Sequence, residues 1–149
     1  MAKVAMEGST IQEIVVSSHI STQKYEYVGS DFYYNPIYDW VSGYTTSAYV
    51  NGSVKANGVT NVYINGKLAV ANGDSTIETD RYSLGSSERL NGSGGVHTNV
   101  TNGRVTSGNN KSVYANGKSI SVEGSTVTNH VNRSTTISSN VSSNVYIGG

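Results

Sequence analysis

The stretch that decides the fold is NVYINGKLAVANGDST, Asn61 to Thr76. A version of it, SVYANGKSISVEGST, returns at Ser112 to Thr126, and SNVYIGG closes the chain at Ser143 to Gly149. Asn-Gly between alternating residues is the strongest short-range signal for a type I′ hairpin turn, because both turn positions need positive φ. Each full copy therefore predicts a strand, a tight turn at Asn65-Gly66 or Asn116-Gly117, and a return strand.

The Asn-Gly pair occurs seven times in the chain. Four of the pairs lie close together, in SAYVNGSVKANGVTNVYINGKLAVANGDST, and the residues that open these predicted turns are Asn51, Asn57, Asn65 and Asn72. The spacing between them predicts a β-meander of very short strands.

The composition favours the same fold class. The chain has 149 residues, of which 36% are hydrophobic and 13% charged, with 17 Gly and a single Pro. Dense Ser, Thr, Asn and Val favour short strands joined by tight turns over helices. The sequence therefore predicts one all-β domain over residues 1–149, large enough to bury a single modest core.

Charge and cysteine content exclude several classes of function. Lys plus Arg number ten and Asp plus Glu number ten, so no electrostatic case for binding nucleic acid or anionic lipid exists. The absence of cysteine excludes disulfides and thiolate metal sites. The first residues contain no apolar run long enough for a signal peptide or a membrane span, which predicts synthesis in the cytoplasm.

The repeats divide the chain into three lobes. The N-terminal KVAMEGST, Lys3 to Thr10, reads like the second half of the repeat, and the C-terminal SSNVYIGG reads like its first half. Two whole copies lie between these half-units, which predicts pseudo-threefold symmetry. Each lobe carries one histidine, namely His19, His97 and His130.

The first lobe is interrupted by an insertion at about residues 24–46, which is rich in aromatic residues. One interpretation is a small local core beneath a long loop. The other is a docking surface, because Tyr and Trp bury a large area and retain a polar tip. The aromatic residues are Tyr25, Tyr27, Phe32, Tyr33, Tyr34, Tyr38, Trp40 and Tyr44.

The repeats resemble the PAAR-repeat proteins, which cap the trimeric spikes of contractile phage tails and type VI secretion systems. The family unit reads approximately Ser-Asn-Val-Phe-Val-Asn-Gly-Lys-Pro-Ala-Ala-Arg-Val-Gly-Asp. TNVYINGKLAVANGD (Thr60 to Asp74) and KSVYANGKSISVEGS (Lys111 to Ser125) align with it without a gap. The Pro and Arg of the naming tetrapeptide are absent here, which favours a phage tail protein. The cysteine of the family's typical metal site is also absent, so the resemblance does not identify the fourth metal ligand.

The resemblance implies a small conical fold whose base sits on a threefold spike, one copy per trimer, and whose point carries a metal ion. It implies that His19, His97 and His130 bind one zinc or iron ion, with water or an oxygen ligand completing the shell. This ion is expected to be structural. The Val-Tyr strands are expected to contact the spike through Val62, Tyr63, Val113, Tyr114, Val145 and Tyr146.

The implied function is a membrane-piercing tip on the tail baseplate of a virion, in transient contact with the host cell envelope. A type VI spike tip is the nearest alternative, and a receptor-binding or adhesin tail tip that uses the aromatic insertion is another. A three-histidine zinc ion can also activate water, but the sequence shows no nucleophile and base pair and no phosphate loop. We therefore expect no enzymatic activity. A β-solenoid segment is the remaining alternative, against which the irregular Asn-Gly spacing argues.

Overall fold

A computed structural model describes residues 1–148; Gly149, the last residue of the closing SNVYIGG stretch, lies outside the described residues. Residues 1–148 contain many short strands and no helix, which confirms the all-β prediction. The described part of the chain thus contains no helix that could cross a membrane. The strands are β1 (Ala2–Lys3), β2 (Thr10–Ile11), β3 (Ile14–Ser30), β4 (Pro36–Val54), β5 (Tyr63–Ile64), β6 (Lys67–Leu68), β7 (Thr76–Arg81), β8 (Glu88–Leu90), β9 (Arg104–Val105), β10 (Tyr114–Ala115), β11 (Lys118–Ser119), β12 (Thr126–Thr128), β13 (Ser134–Ser139) and β14 (Tyr146–Ile147).

The chain divides into two compact units. We call the first the threefold unit, and it comprises Met1–Ile14, Val50–Thr79 and His97–Gly149. The second, the hairpin unit, comprises Val15–Tyr49 and Asp80–Val96. The insertion expected at about residues 24–46 belongs to the hairpin unit.

Three short antiparallel strand pairs repeat in the threefold unit. Strands β5 and β6 are joined by Asn65-Gly66, with φ of 51° and 81°, and β10 and β11 by Asn116-Gly117, with φ of 51° and 78°. Positive φ at both positions is the geometry of a type I′ turn. The third pair, β1 with β14, has the same form but is made by the two ends of the chain.

A closed cycle of backbone hydrogen bonds joins the three repeats. The N–H of Ala5 donates to the carbonyl of Ser121 (2.9 Å), that of Ser121 to Val70 (2.8 Å), and that of Val70 back to Ala5 (3.3 Å). Three β-bridges follow the same cyclic order: Met6 with Ala69, Ala71 with Ile120, and Val122 with Val4. The half-units at the two ends of the chain therefore complete a third repeat, equivalent to the other two.

In each repeat, the residue that follows the cycle begins a turn of the same type. The turns are Met6–Ser9, Ala71–Asp74 and Val122–Ser125, and the glycine in third position has φ of 90°, 94° and 92° in turn. In each turn a side-chain oxygen of the last residue accepts from the first residue's N–H, at 3.0, 2.9 and 2.9 Å. The predicted Asn72-Gly73 turn is therefore real, but positive φ at Gly73 alone makes it type II and not type I′.

Two apolar clusters lie in the interior of the threefold unit, and each draws on all three repeats. Full burial of one Val or Ile side chain contributes about 1.5–3 kcal/mol, so these residues dominate the stability of the unit. One cluster contains Ala5, Ile11, Val54, Ala56, Val70, Val105, Val127 and Ile137. The other contains Val4, Val59, Ala71, Ala115, Ile120, Val122 and Ile147.

Two of the predicted Asn-Gly turns were wrong. Asn51-Gly52 lies inside β4, and Asn57-Gly58 joins no strand pair. Both glycines instead allow a close approach. A Cβ at Gly52 would lie 2.2 Å from the carbonyl oxygen of Ile77, and one at Gly58 would lie 2.5 Å from Oδ1 of Asp74.

The hairpin unit is built around the long strands β3 and β4, with β8 paired to β3 through Thr22–Leu90, Gln23–Arg89 and Lys24–Glu88. The aromatic insertion is therefore a strand hairpin and not a long loop. At its tip, Oδ1 of Asp31 accepts from the N–H groups of Tyr33 and Asn35, at 2.8 and 2.9 Å. The bond from Asn35 is the main reason that the pKa of Asp31 is lowered.

The aromatic side chains of this hairpin lie against one another and are largely exposed. Tyr25 contacts Tyr38 and Trp40, with ring centroids 5.9 and 5.3 Å apart. At the tip, Phe32 and Tyr34 are each 90% exposed. The hairpin therefore presents a large aromatic surface.

Candidate metal centre

Strand β7 brings two acidic side chains into the interior. Along Thr76–Arg81 burial alternates, so that Thr76, Glu78 and Asp80 are buried while the residues between them are partly exposed. Successive side chains of a strand point to opposite faces. Glu78 and Asp80 therefore share one buried face, two residues apart.

Asp80 pairs with His19, which lies on β3. The Nε2 atom of His19 is 2.9 Å from Oδ2 of Asp80, and the two side chains are 13% and 0% exposed. A carboxylate without solvent contact needs a hydrogen-bond donor or a cation beside it. The His19 imidazole is one such partner.

Glu78 pairs with His130, which follows β12. The Nδ1 atom of His130 is 3.0 Å from Oε1 of Glu78, and the backbone N–H of His130 donates to the same oxygen at 3.2 Å. The Thr76 hydroxyl donates to Oε2 of Glu78. Both oxygens of this buried carboxylate thus accept hydrogen bonds.

The loop around His130 is held by Asn129. Its Oδ1 atom accepts from the backbone N–H groups of Val131 (3.0 Å) and Arg133 (2.9 Å), and Asn132 takes a positive φ of 59°. These bonds close the turn between β12 and β13. They fix the backbone that carries the His130 imidazole.

The three histidines predicted from the sequence lie together. The rings of His97 and His130 are 4.8 Å apart between centroids. His19, Asp80, His97 and His130 each offer one ligand atom, and these atoms all lie within 4.8 Å of one another. This group can hold a metal ion.

The chemistry of the donors fits a transition metal. Three imidazole nitrogens and one carboxylate oxygen form a set that suits both zinc and ferrous iron.

The acidic residues of this site were missed in the sequence, which predicted only water or an unnamed oxygen as the fourth ligand. The sequence does contain a pattern that could have identified them. Glu78 and Asp80 alternate with other residues in TIETDR, shortly after the turn that ends at Asp74. Alternating charged residues in a short strand normally indicate a solvent-exposed face. Here the alternation marks a buried polar face.

The predicted spike-contact residues occupy equivalent positions in the three repeats. Each strand pair carries one exposed tyrosine at the same place. The tyrosines and the residues opposite them are Tyr63 and Leu68, Tyr114 and Ser119, and Tyr146 and Lys3. The carbonyls of the preceding valines, Val62, Val113 and Val145, accept from Ala69, Ile120 and Val4, at 2.9, 3.2 and 3.0 Å. The threefold unit thus carries three equivalent Val-Tyr patches.

Comparisons of this chain with protein-family models, with curated proteins and with solved structures find no match.

Proposed function

We propose that this protein is a non-enzymatic, PAAR-like cap for the end of a trimeric central spike in a contractile phage tail. The observation that carries the proposal is the closed backbone cycle of Ala5, Ser121 and Val70. A single chain with three equivalent faces is suited to a partner with three subunits, because each face can meet one subunit. An isolated enzyme or receptor needs no such repetition.

The exposed tyrosines are the proposed spike contacts. Tyr63, Tyr114 and Tyr146 project from equivalent strands, each beside a valine of the same repeat. Tyrosine is enriched at the energetic centre of protein interfaces, because the ring buries a large area while the hydroxyl keeps a hydrogen bond. Three such anchors fit a threefold platform.

The metal ion of this proposal is one zinc or iron, held by His19, Asp80, His97 and His130. When bound, it supplies cross-links between segments distant in sequence, which stabilises the fold because the unfolded chain lacks the preformed site. The burial of Asp80 and His130 supports a structural role, since a catalytic ion needs substrate access.

The proposed location is the tip of the tail baseplate of a virion, after synthesis in the host cytoplasm. There the cap concentrates the work of sheath contraction on a small area of the host envelope during membrane puncture. The alternative location is the tip of a type VI secretion spike. The lost Pro and Arg of the repeat support the phage tail.

The decisive test is the stoichiometry of the complex with the isolated spike trimer, measured by native mass spectrometry. We expect one chain per three spike subunits. Replacing Tyr63, Tyr114 and Tyr146 together by Ala should weaken binding at least tenfold, while Tyr33→Ala, on the exposed hairpin, should not. A three-to-three complex, or no complex, would contradict the proposal.

The metal centre is tested by elemental analysis of the purified protein. We expect about one zinc or iron per chain in the parent, and loss of the metal together with a lower melting temperature in His97→Ala. Lys111→Ala, which changes an exposed side chain, is the control and should alter neither. A metal-free parent whose histidine variants melt at the parent temperature would disprove the site.

A second candidate function, receptor binding, is favoured by the exposed aromatic tip of the hairpin unit. In that case Phe32→Ser with Tyr34→Ser should abolish adsorption of the protein to host cells. The same double variant should leave spike binding unchanged. Loss of spike binding instead would place the hairpin in the cap interface.

A further inference from the structure

We propose that Glu78 is a positioning residue that fixes the tautomer of His130, and so makes Nε2 the nitrogen that binds the metal. The inference rests on the metal centre of the proposed function and adds a residue that is not itself a ligand. It is carried by the 3.0 Å contact between Oε1 of Glu78 and Nδ1 of His130.

The argument begins with the imidazole ring. A neutral imidazole carries its proton on one nitrogen and a lone pair on the other, and the partner of each nitrogen decides between the two tautomers. A carboxylate oxygen beside Nδ1 can only accept, so the proton stays on Nδ1. The lone pair is then on Nε2, which is the arrangement of a carboxylate, histidine and metal triad.

The carboxylate is itself held in place. Its Oε2 accepts from the Thr76 hydroxyl, and its Oε1 accepts from the backbone N–H of His130 as well as from the ring. These bonds leave Glu78 one orientation. They also tie the backbone and the ring of His130 to the same atom.

Two glycines make room for this side chain. A Cβ at Gly103 would lie 2.1 Å from Oε2 of Glu78 and 2.3 Å from the Thr76 hydroxyl oxygen, and one at Gly52 would lie 2.8 Å from Cγ of Glu78. Both distances to Glu78 are shorter than real Cβ contacts. Asn51-Gly52 and Asn102-Gly103 form no hairpin turn. Their glycines are needed because a Cβ at either position would clash with Glu78.

The consequence is measurable as metal affinity. Loss of a carboxylate that orients a histidine ligand typically weakens metal binding 10–100-fold, so we expect a decrease of about this size for Glu78→Ala. Glu78→Gln keeps an oxygen that accepts from Nδ1–H and should lose less. Gly103→Ala should weaken binding by displacing Glu78, although it removes no titratable group.

The experiment combines zinc competition titration with two-bond ¹H–¹⁵N spectra of the His130 ring, recorded on the purified protein supplied with zinc. The spectra report the protonated nitrogen whether or not zinc binds. We expect Nδ1–H in the parent and in Glu78→Gln, and a loss of this preference together with weaker zinc binding in Glu78→Ala. Glu123→Gln, at an exposed carboxylate, is the matched control and should match the parent.

The inference is wrong if the parent carries the His130 proton on Nε2, or if a folded Glu78→Ala binds zinc as tightly as the parent. Should Glu78→Ala not fold, Glu78→Gln and the parent spectrum still decide the tautomer. A parent with Nδ1–H that binds no zinc would instead overturn the metal centre of the proposed function. The spectrum of Glu78→Ala would then still decide whether Glu78 controls the tautomer.

Discussion

The threefold unit and the hairpin unit are both antiparallel β-structure, but they are stabilised in different ways. In the threefold unit, backbone pairs join residues far apart in sequence, as between Ala5 and Ser121, and most of the buried Val and Ile side chains belong to it. In the hairpin unit, β3 and β4 are neighbours in the chain, and the aromatic rings on them remain largely exposed.

The difference predicts how much each unit contributes to the stability of the protein. Long-range pairing around an apolar interior makes a unit cooperative, because each repeat depends on the other two. A long hairpin depends on cross-strand pairs of modest individual strength, about 0.2–1 kcal/mol each. We therefore expect substitutions of buried residues in the threefold unit to lower the stability of the protein, and substitutions of exposed residues in the hairpin to change it little.

The largest expected effect comes from a matched pair of isoleucines. Ile137 is 1% exposed in the threefold unit, whereas Ile37 in the hairpin unit is 43% exposed. Ile137→Ala should lower the free energy of unfolding by about 2–5 kcal/mol, because it removes buried methylenes and leaves a cavity. Ile37→Ala should stay within about 0.5 kcal/mol of the parent. Equal effects in chemical denaturation would remove the distinction between the two units.

The next effect concerns the two type I′ turns. Gly66→Val and Gly117→Val place a β-branched residue at φ of 81° and 78°, which should cost about 1–3 kcal/mol in each case. Similar losses at the two positions would support the equivalence of the repeats. Gly85→Val, at an exposed glycine without positive φ, is the control for calorimetry. If both turn variants melted at the parent temperature, valine would not strain the backbone at these two positions.

The smallest expected effect comes from Asp74, at a turn position that differs between the three repeats of the threefold unit. Asp74 holds the turn position that Ser9 and Ser125 hold in the other repeats, and all three side chains accept the same backbone hydrogen bond. Burial raises the pKa of the Asp74 carboxyl above its usual 3.8, although the bond from Ala71 opposes the shift. Asp74→Ser keeps the bond and removes the charge.

The sign of the effect follows from that pKa. Because the folded state binds the Asp74 proton more tightly than the unfolded state, the contribution of this group to stability falls as the pH rises from below 3.8 through the raised pKa. The stability of Asp74→Ser should not show this decrease with rising pH. At pH 7 its free energy of unfolding should equal the parent value or exceed it by about 1 kcal/mol at most. A large loss at pH 7 would show that the carboxylate has a role that the serines lack.

Much of the threefold unit could be predicted from the sequence, because its signals are local. Asn65-Gly66 and Asn116-Gly117 need positive φ at both residues, and only a few residue pairs tolerate it. The half-units around Lys3 and Val145 matched the full repeats in register. One histidine per lobe pointed to the residues that the structure brings together.

The remaining features depend on tertiary structure that local patterns do not encode. Asn51-Gly52 and Asn65-Gly66 read alike, but the first needs glycine because Ile77 and Glu78 approach it closely. Glu78 and Asp80 read as an exposed strand face, since nothing nearby in sequence shows that they are buried. Their histidine partners lie 52 and 61 residues away along the chain.

The backbone cycle of Ala5, Val70 and Ser121 also limits how far the repeat can grow. Each of these residues donates its N–H to one neighbour and accepts at its carbonyl from the other, so both groups of every member are used. A solenoid presents an unpaired edge at each end, where a further repeat or a second chain can add. Because these three residues already use all of their backbone N–H and carbonyl groups, a fourth repeat cannot join the cycle.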